Sequence, residues 1–410
     1  MTRTPTPSSL SRTLTIALVL LLVVSSAGCA DLTGVTDADD ELPDRATAME
    51  RTESLETLSA TVTTVRRVDG ETTSSVAENT QRVDPIGFRS RIVSVDGPNE
   101  TRTSVGALTV SNASGTALYR PGQNTLTYLV GPSNRDGSNG AQTSPYVDII
   151  VAARTNDTIS RPTPGVPALP RVPNSSNDDN ASATSRNHRV TVAYNGTETV
   201  DGRETYRLEV DPVSPNASLK DQTVWLDTEY LYPLEQRVEF IVDGDRYEYH
   251  TIHRNVTFNL KLSPDTFELN RTELPDDIEV TAFHAYETRS GLAANVSMPV
   301  PDPKLPDGYT LDGATYRSSD PDVVALSYKA RDDERPIRIW VVEENGTSIT
   351  ASNETVRVGE YDATVSEYGD VTRLGWYADG YSYSVSGPVD AETLTRIARS
   401  VAESVDASRD

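Results

Sequence analysis

The chain has 410 residues, with 61 acidic side chains against 37 basic ones, a formal net charge of −24 and 36% hydrophobic residues. So acidic a surface repels nucleic-acid phosphates, and no basic stripe offsets it, which excludes DNA and RNA as partners. The length points to two or three domains, and the excess of Tyr (18) over Phe (5) in a Thr- and Val-rich chain favours strands.

Only Lys220, Lys261, Lys304 and Lys329 are lysine; every other basic residue is arginine. Excess carboxylate with so little lysine suits a chain that stays hydrated in molar salt, where the Debye length shrinks to about 3 Å and self-repulsion is screened. A halophilic protein is the expectation, and an acidic surface in an ordinary organism is the alternative.

Residues 1–28 have the order of a secretory signal. Arg3 and Arg12 come first, and the apolar run from Leu14 to Val24 covers 11 residues, too short for a bilayer core of about 30 Å. Ser26-Ala27-Gly28 then lead to Cys29, the single cysteine. This resembles a lipobox, with Cys29 as the lipid-anchored first residue of the mature chain. A plain secretory signal with an incidental cysteine, or an uncleaved anchoring helix, are the alternatives. Twelve N-x-[ST] sequons, among them Asn195, Asn255 and Asn353, fit a glycosylated extracytoplasmic protein. The expected location is the outer face of the cytoplasmic membrane.

Residues 29–44 carry many acids and no aromatic and read as a solvated tether. A helix is expected over 46–60. Strands follow at 60–67, 75–83, 89–95, 105–111, 115–120 and 125–130, separated by turn residues such as Asp69-Gly70, in the rhythm of an antiparallel meander. A helical turn or two fits 146–153. Five prolines between Pro162 and Pro173, then a polar run, make 160–188 an extended insertion. Strands resume at 189–194, 205–210, 222–227, 235–242 and 246–259, with Asp201-Gly202 and Asp243-Gly244 as hairpin turns. A linker is expected over 283–306, with a short helix at 283–294. A smaller unit follows at 307–405, with strands at 314–317, 323–329, 335–342, 354–358, 361–367, 371–377 and 381–386. Its closing helix, 390–404, shows Leu394, Ile397, Ala398 and Val401 at helical spacing.

Catalytic chemistry is not indicated. His250 and His253 fall on opposite faces of a strand and make no zinc pair. No nucleophile elbow, phosphate loop or metalloprotease motif occurs. A non-enzymatic protein without a cofactor is expected.

Thr223-Val224-Trp225-Leu226-Asp227, followed by Tyr232-Pro233-Leu234, is similar to the V-W-[LI]-D-x-x-x-x-x-P-L signature of LolA-like proteins. Val200-Asp201-Gly202-Arg203-Glu204-Thr205-Tyr206 before it, and Phe258-Asn259 with Ser263-Pro264-Asp265-Thr266-Phe267 after it, extend the resemblance over roughly residues 45–280. It implies a mainly β, α+β fold: an open half-barrel antiparallel sheet covered by helices, of haloarchaeal type, with a hollow that binds lipid-linked chains. Lys304-Leu305-Pro306-Asp307-Gly308-Tyr309, Gly375-Trp376 and Gly387 resemble a small C-terminal domain of unknown function found in exported proteins. The pairing is RseB-like, an arrangement that implies an envelope regulator.

The expected domains are a signal at 1–28, a tether at 29–44, a half-barrel domain at 45–282, a linker at 283–306 and a C-terminal α+β domain at 307–405. The expected function is a lipoprotein held to the membrane through Cys29 that binds an acyl chain or lipidated peptide. Strand alternation places Leu208, Trp225, Phe240, Val242 and Ile252 along the apolar trough. A fully packed sheet without a cavity would instead favour a regulator or scaffold that binds a protein through its C-terminal domain.

Overall fold

The computed structural model describes residues 42–97, 105–131, 145–161, 188–242, 244–331, 333–344, 355–369 and 371–407. The signal, Cys29, most of the tether and nearly all of the 160–188 insertion lie outside these residues. No helix among the described residues is long and apolar enough to cross a membrane.

The Asp44 carboxylate accepts the Thr47 N–H at 2.8 Å and starts α1 (Arg45–Glu53). This helix has 9 residues and ends seven residues short of the expected 46–60. The run from Thr57 is alternately Thr, Val, Ala and Ser, and its β-branched residues form β1 (Thr57–Val68) instead. Asp69 and Gly70, both at positive φ, turn the chain into β2 (Glu71–Arg82). The meander continues through β3 (Gly87–Asp96), β4 (Leu108–Asn112), β5 (Gly115–Arg120) and β6 (Thr125–Val130). Helix α2 (Pro145–Thr155) makes three turns and leads to β7 (Thr158–Arg161).

The next strands are long: β8 (His188–Val200), β9 (Arg203–Pro212), β10 (Leu219–Asp227), β11 (Pro233–Val242) and β12 (Asp245–Phe258). Strand β12 closes back on β1, Val62 opposite His253. The hydrogen-bonded order is therefore β7-β8-β9-β10-β11-β12-β1-β2-β3-β4-β5-β6. It is an open, mainly antiparallel sheet, the expected class.

The 283–306 segment differs from expectation. Residues 279–286 form β13 (Glu279–Tyr286), paired in parallel with β6 on one side and antiparallel with β14 (Tyr309–Ser318) on the other. Its Val, Thr, Phe and Tyr side chains suit a strand, and the free edge of β6 supplies the ladder partner. Only Arg289–Ala293 is helical (α3). Strand β13 thus joins the two parts into one continuous sheet.

Beyond it come β15 (Val323–Ala330), β16 (Asp333–Glu343), β17 (Thr355–Val358), β18 (Tyr361–Tyr368), β19 (Val371–Ala378) and β20 (Tyr381–Gly387), in the order β14-β15-β16-β20-β19-β18-β17. Helix α4 (Ala391–Ala407) buries Leu394, Ile397, Ala398, Val401 and Val405 against Ile337, Ile339, Trp376 and Tyr383. Asp390 caps it by accepting the Thr393 N–H at 2.7 Å.

Candidate functional site: the helix-side face of the sheet

Residues opposite one another in an antiparallel ladder share a face, so the register sorts the side chains. Helices α1 and α2 pack Ala48, Val147 and Ile150 with Leu208, Val210, Val224 and Leu226, which defines a helix-side face. One row of that face runs Tyr194, Leu208, Val224, Gln236, Thr251, Thr64, Ser75. The neighbouring row runs Val192, Val210, Gln222, Val238, Tyr249, Arg66, Thr73. Both rows are apolar under the helices and turn polar and aromatic from β10 and β11 onward.

An aromatic wall stands where the change occurs. The Phe240 ring lies 5.2 Å from Tyr247 and 5.7 Å from Tyr249, within 5° and 7° of parallel. All three rings are half-buried. The Arg66 guanidinium sits 5.9 Å from the Tyr247 ring.

Buried polar groups without partners lie on the same face of the sheet. Both amide atoms of Gln222 (0% exposed), Nε2 of Gln236 (4%) and Nδ1 of His253 (3%) have no hydrogen-bond partner. Arg66 Nε and Asn79 Oδ1 are also unpaired. By register, all five residues project from the helix-side face of β10, β11, β12, β1 and β2. Each such group costs about 1–3 kcal/mol when left unpaired. Burial pushes the His253 pKa down to about 4, against a smaller opposite effect from its hydrogen bond to the Leu234 backbone, so the ring is neutral near pH 7. It meets Tyr232 edge-on at 5.2 Å.

The five trough residues expected from alternation do not share a face. Leu208 and Phe240 are on the helix side. Val242 follows Phe240 in register but is 41% exposed at the strand end. Trp225 pairs with Arg207 and Glu235, and Ile252 pairs with Glu235, so both lie on the far face. Strand β10 is apolar on both sides through Val224, Trp225 and Leu226, and alternation cannot orient such a strand. Trp225 instead packs with Val200 and Leu234, between the Arg207 and Arg237 guanidinium groups. The residues missed, Gln222 and Gln236, do leave a sequence signal. Gln236 is the one amide in the i, i+2 series Leu234, Val238, Phe240 and Val242, and Gln222 stands two residues before Val224 and four before Leu226.

The signature residues build a corner rather than a binding surface. Asp227, 1% exposed, accepts from Arg203 and from the N–H groups of Glu229 and Tyr230 at 3.1 and 2.9 Å. Arg51 of α1 donates to the Thr228 carbonyl at 2.6 Å. Asn259 accepts the Glu56 N–H at 2.8 Å and donates to the Ser54 carbonyl at 3.0 Å. Together these contacts clamp α1 to the ends of β9, β10 and β12.

A concavity of about 500 Å³ lies between Leu305 and Pro306 on one side and Ile397 and Ser400 of α4 on the other. Its rim mixes both signs of charge, with Lys304 3.6 Å from Glu403. Among the described residues, no cluster of three or more His, Cys, Asp or Glu is arranged to hold a metal ion.

Comparison with known proteins adds three findings. Residues 302–401 match the family described as Domain of unknown function (DUF4367). The uncharacterized protein MJ0687 of Methanocaldococcus jannaschii is 27% identical over 229 residues, which is 52% of this chain. The chain spans 63% of that relative's length. Among solved structures, MucB in complex with MucA(peri) is 14% identical with a TM-score of 0.28, covering 87% of this chain and 98% of that one. The Mycobacterium tuberculosis lipoprotein LppX is 11% identical with a TM-score of 0.30, covering 56% and 99%. A LolA superfamily protein from Nitrosomonas europaea is 9% identical with a TM-score of 0.24, covering 56% and 99%. Likenesses at that level carry no superposition, and the fold stands on this chain's own strand pairing.

Proposed function

We propose that the protein is a non-enzymatic, extracytoplasmic lipoprotein of a halophile, held to the membrane through Cys29, that binds an apolar chain against the helix-side face of its sheet. The observation that carries this reading is the half-buried wall of Phe240, Tyr247 and Tyr249, which stands where the cover of α1 and α2 gives out. Rigid aromatic faces of this kind suit an acyl chain, each buried CH₂ group contributing about 0.8 kcal/mol. The test is lipid analysis of the full chain purified from its own membranes in high salt. A co-purifying lipid is expected in the wild type and in Ile252→Ser, whose far-face position leaves the wall intact, and it is lost in Phe240→Asp. A wild-type protein free of lipid, which takes up none when offered, overturns the reading.

A second reading, a regulator or scaffold that binds a protein through the C-terminal part, rests on Trp340. Its indole is 41% exposed, on the face of the sheet opposite α4, between the small neighbours Ala325 and Ser384. Arg338 and Arg373 lie on the same face through their shared neighbour Ser386. Exposed Trp with Arg is the composition of a protein-binding hot spot. Crosslinking in membranes tests it: partner adducts present in the wild type and absent in Trp340→Ser support it, and unchanged adducts sink it.

A further inference from the structure

The unpaired groups on the helix-side face have a specific chemistry. Gln222 leaves free both a donor and an acceptor, and Gln236 leaves a free donor. His253 uses one ring nitrogen on the Leu234 carbonyl. The other, Nδ1, is therefore an acceptor in the neutral ring. Gln222 and Gln236 are diagonal neighbours across the β10–β11 ladder, since Gln222 opposes Val238 and Gln236 opposes Val224. Thr251 opposes Gln236, and His253 is two residues further along β12 on the same face. Gln222, level with Val238, and Gln236 thus bring two donors and one acceptor together beside the aromatic wall, while His253 lies beyond Gln236 on the side away from it. All three side chains are more than nine-tenths buried.

A hydrocarbon chain satisfies none of these groups. An ester or ether offers acceptors alone, which leaves Gln222 Oε1 unanswered. An amide or a hydroxyl answers both kinds. We infer that the ligand is an amphiphile whose chain carries a linkage able both to donate and to accept hydrogen bonds, an amide or a hydroxyl, read by Gln222 and Gln236. The inference rests on the chain-binding reading above and specifies the chemistry of that same site. A site built to hydrogen-bond a polar group discriminates against analogues that lack it, because its own buried groups are then left unpaired.

The test uses the full chain in phosphatidylglycerol vesicles at molar NaCl, with three photoactivatable probes of one sixteen-carbon chain: an N-methyl amide, a primary alcohol and a methyl ester. Labelled peptides are mapped by mass spectrometry, and relative affinities come from competition. The amide or the alcohol should label β10–β12 and outcompete the ester by about tenfold, the worth of one well-made hydrogen bond. Whichever of the two wins identifies the linkage. In the Gln222→Leu/Gln236→Leu variant, which replaces amides by apolar groups of similar size, the preference should vanish while ester labelling of the same strands persists. Equal labelling of β10–β12 by all three probes in the wild type overturns this inference and leaves chain binding standing. No labelling of those strands by any probe overturns both, and the wild-type comparison decides even if the variant does not fold.

Discussion

The indole N–H of Trp225 donates to Glu198 Oε2 at 2.7 Å, and the Arg237 guanidinium covers the ring at 5.1 Å. The most conspicuous aromatic of the sequence signature is therefore held on the far face by a charged hydrogen bond and a cation, away from the wall formed by Phe240, Tyr247 and Tyr249.

This placement separates stability from binding. Trp225→Phe keeps an aromatic ring but removes the pyrrole half of the buried indole and its bond to Glu198, so it should cost about 2 kcal/mol or more. Chemical denaturation reads that loss, while lipid retention should match the wild type. A variant that keeps its stability but loses its lipid would put Trp225 in the binding site.

The Arg203–Asp227 corner should be the most sensitive single contact in the half-barrel. Asp227→Ala removes the buried acceptor of Arg203, which keeps Glu229, and frees two backbone N–H groups of the turn, for a loss of roughly 2 kcal/mol or more. Because Arg51 anchors α1 to the same turn, limited proteolysis should cut near residues 45–53 in this variant before it cuts the sheet.

His253 gives the protein an acid-side dependence of stability. Burial holds its folded pKa at about 4, against an ordinary value of 6.5. Between those values the unfolded chain binds a proton that the folded chain does not, so stability falls as pH drops from about 6.5 to 4, by about 3 kcal/mol in full. Above 6.5 the ring is neutral in both states and contributes no slope. His253→Gln should flatten this segment relative to wild type in urea titrations between pH 4.5 and 6.5; parallel curves would show that the ring is not buried neutral.

Strand β13 makes the two parts of the chain one cooperative sheet. At Gly131, φ is +138°, and a Cβ there would stand 2.6 Å from the Ala285 carbonyl oxygen. Gly131→Ala should push the end of β13 from β6 and split one calorimetric transition into two. A single unshifted transition would mean that β13 does not couple them.

Much of the strand plan was legible because the β-branched runs and the turns at Asp69-Gly70 and Asp201-Gly202 are local signals, read within a few residues. The end of α1 and the strand at 279–286 were less so. Residues 46–60 fit a helix until the β1 ladder forms, and β13 is a strand because β6 offers an edge to pair with.

The site divides in the same way. Composition and the order of the elements determined a mainly β chain, its acidic surface and its closing helix, since burial of an amphipathic face leaves a periodic trace in the sequence. Which face of β10 meets the helices was decided by tertiary structure alone. Val224 and Trp225 are both apolar, and only the ladder registers with Leu208 and Arg207 tell them apart. The same registers bring Gln222 and Gln236 together from two strands. That gathering is invisible along the chain because a hydrogen-bonding site depends on which strands are neighbours, and neighbours are chosen by pairing, not by sequence distance.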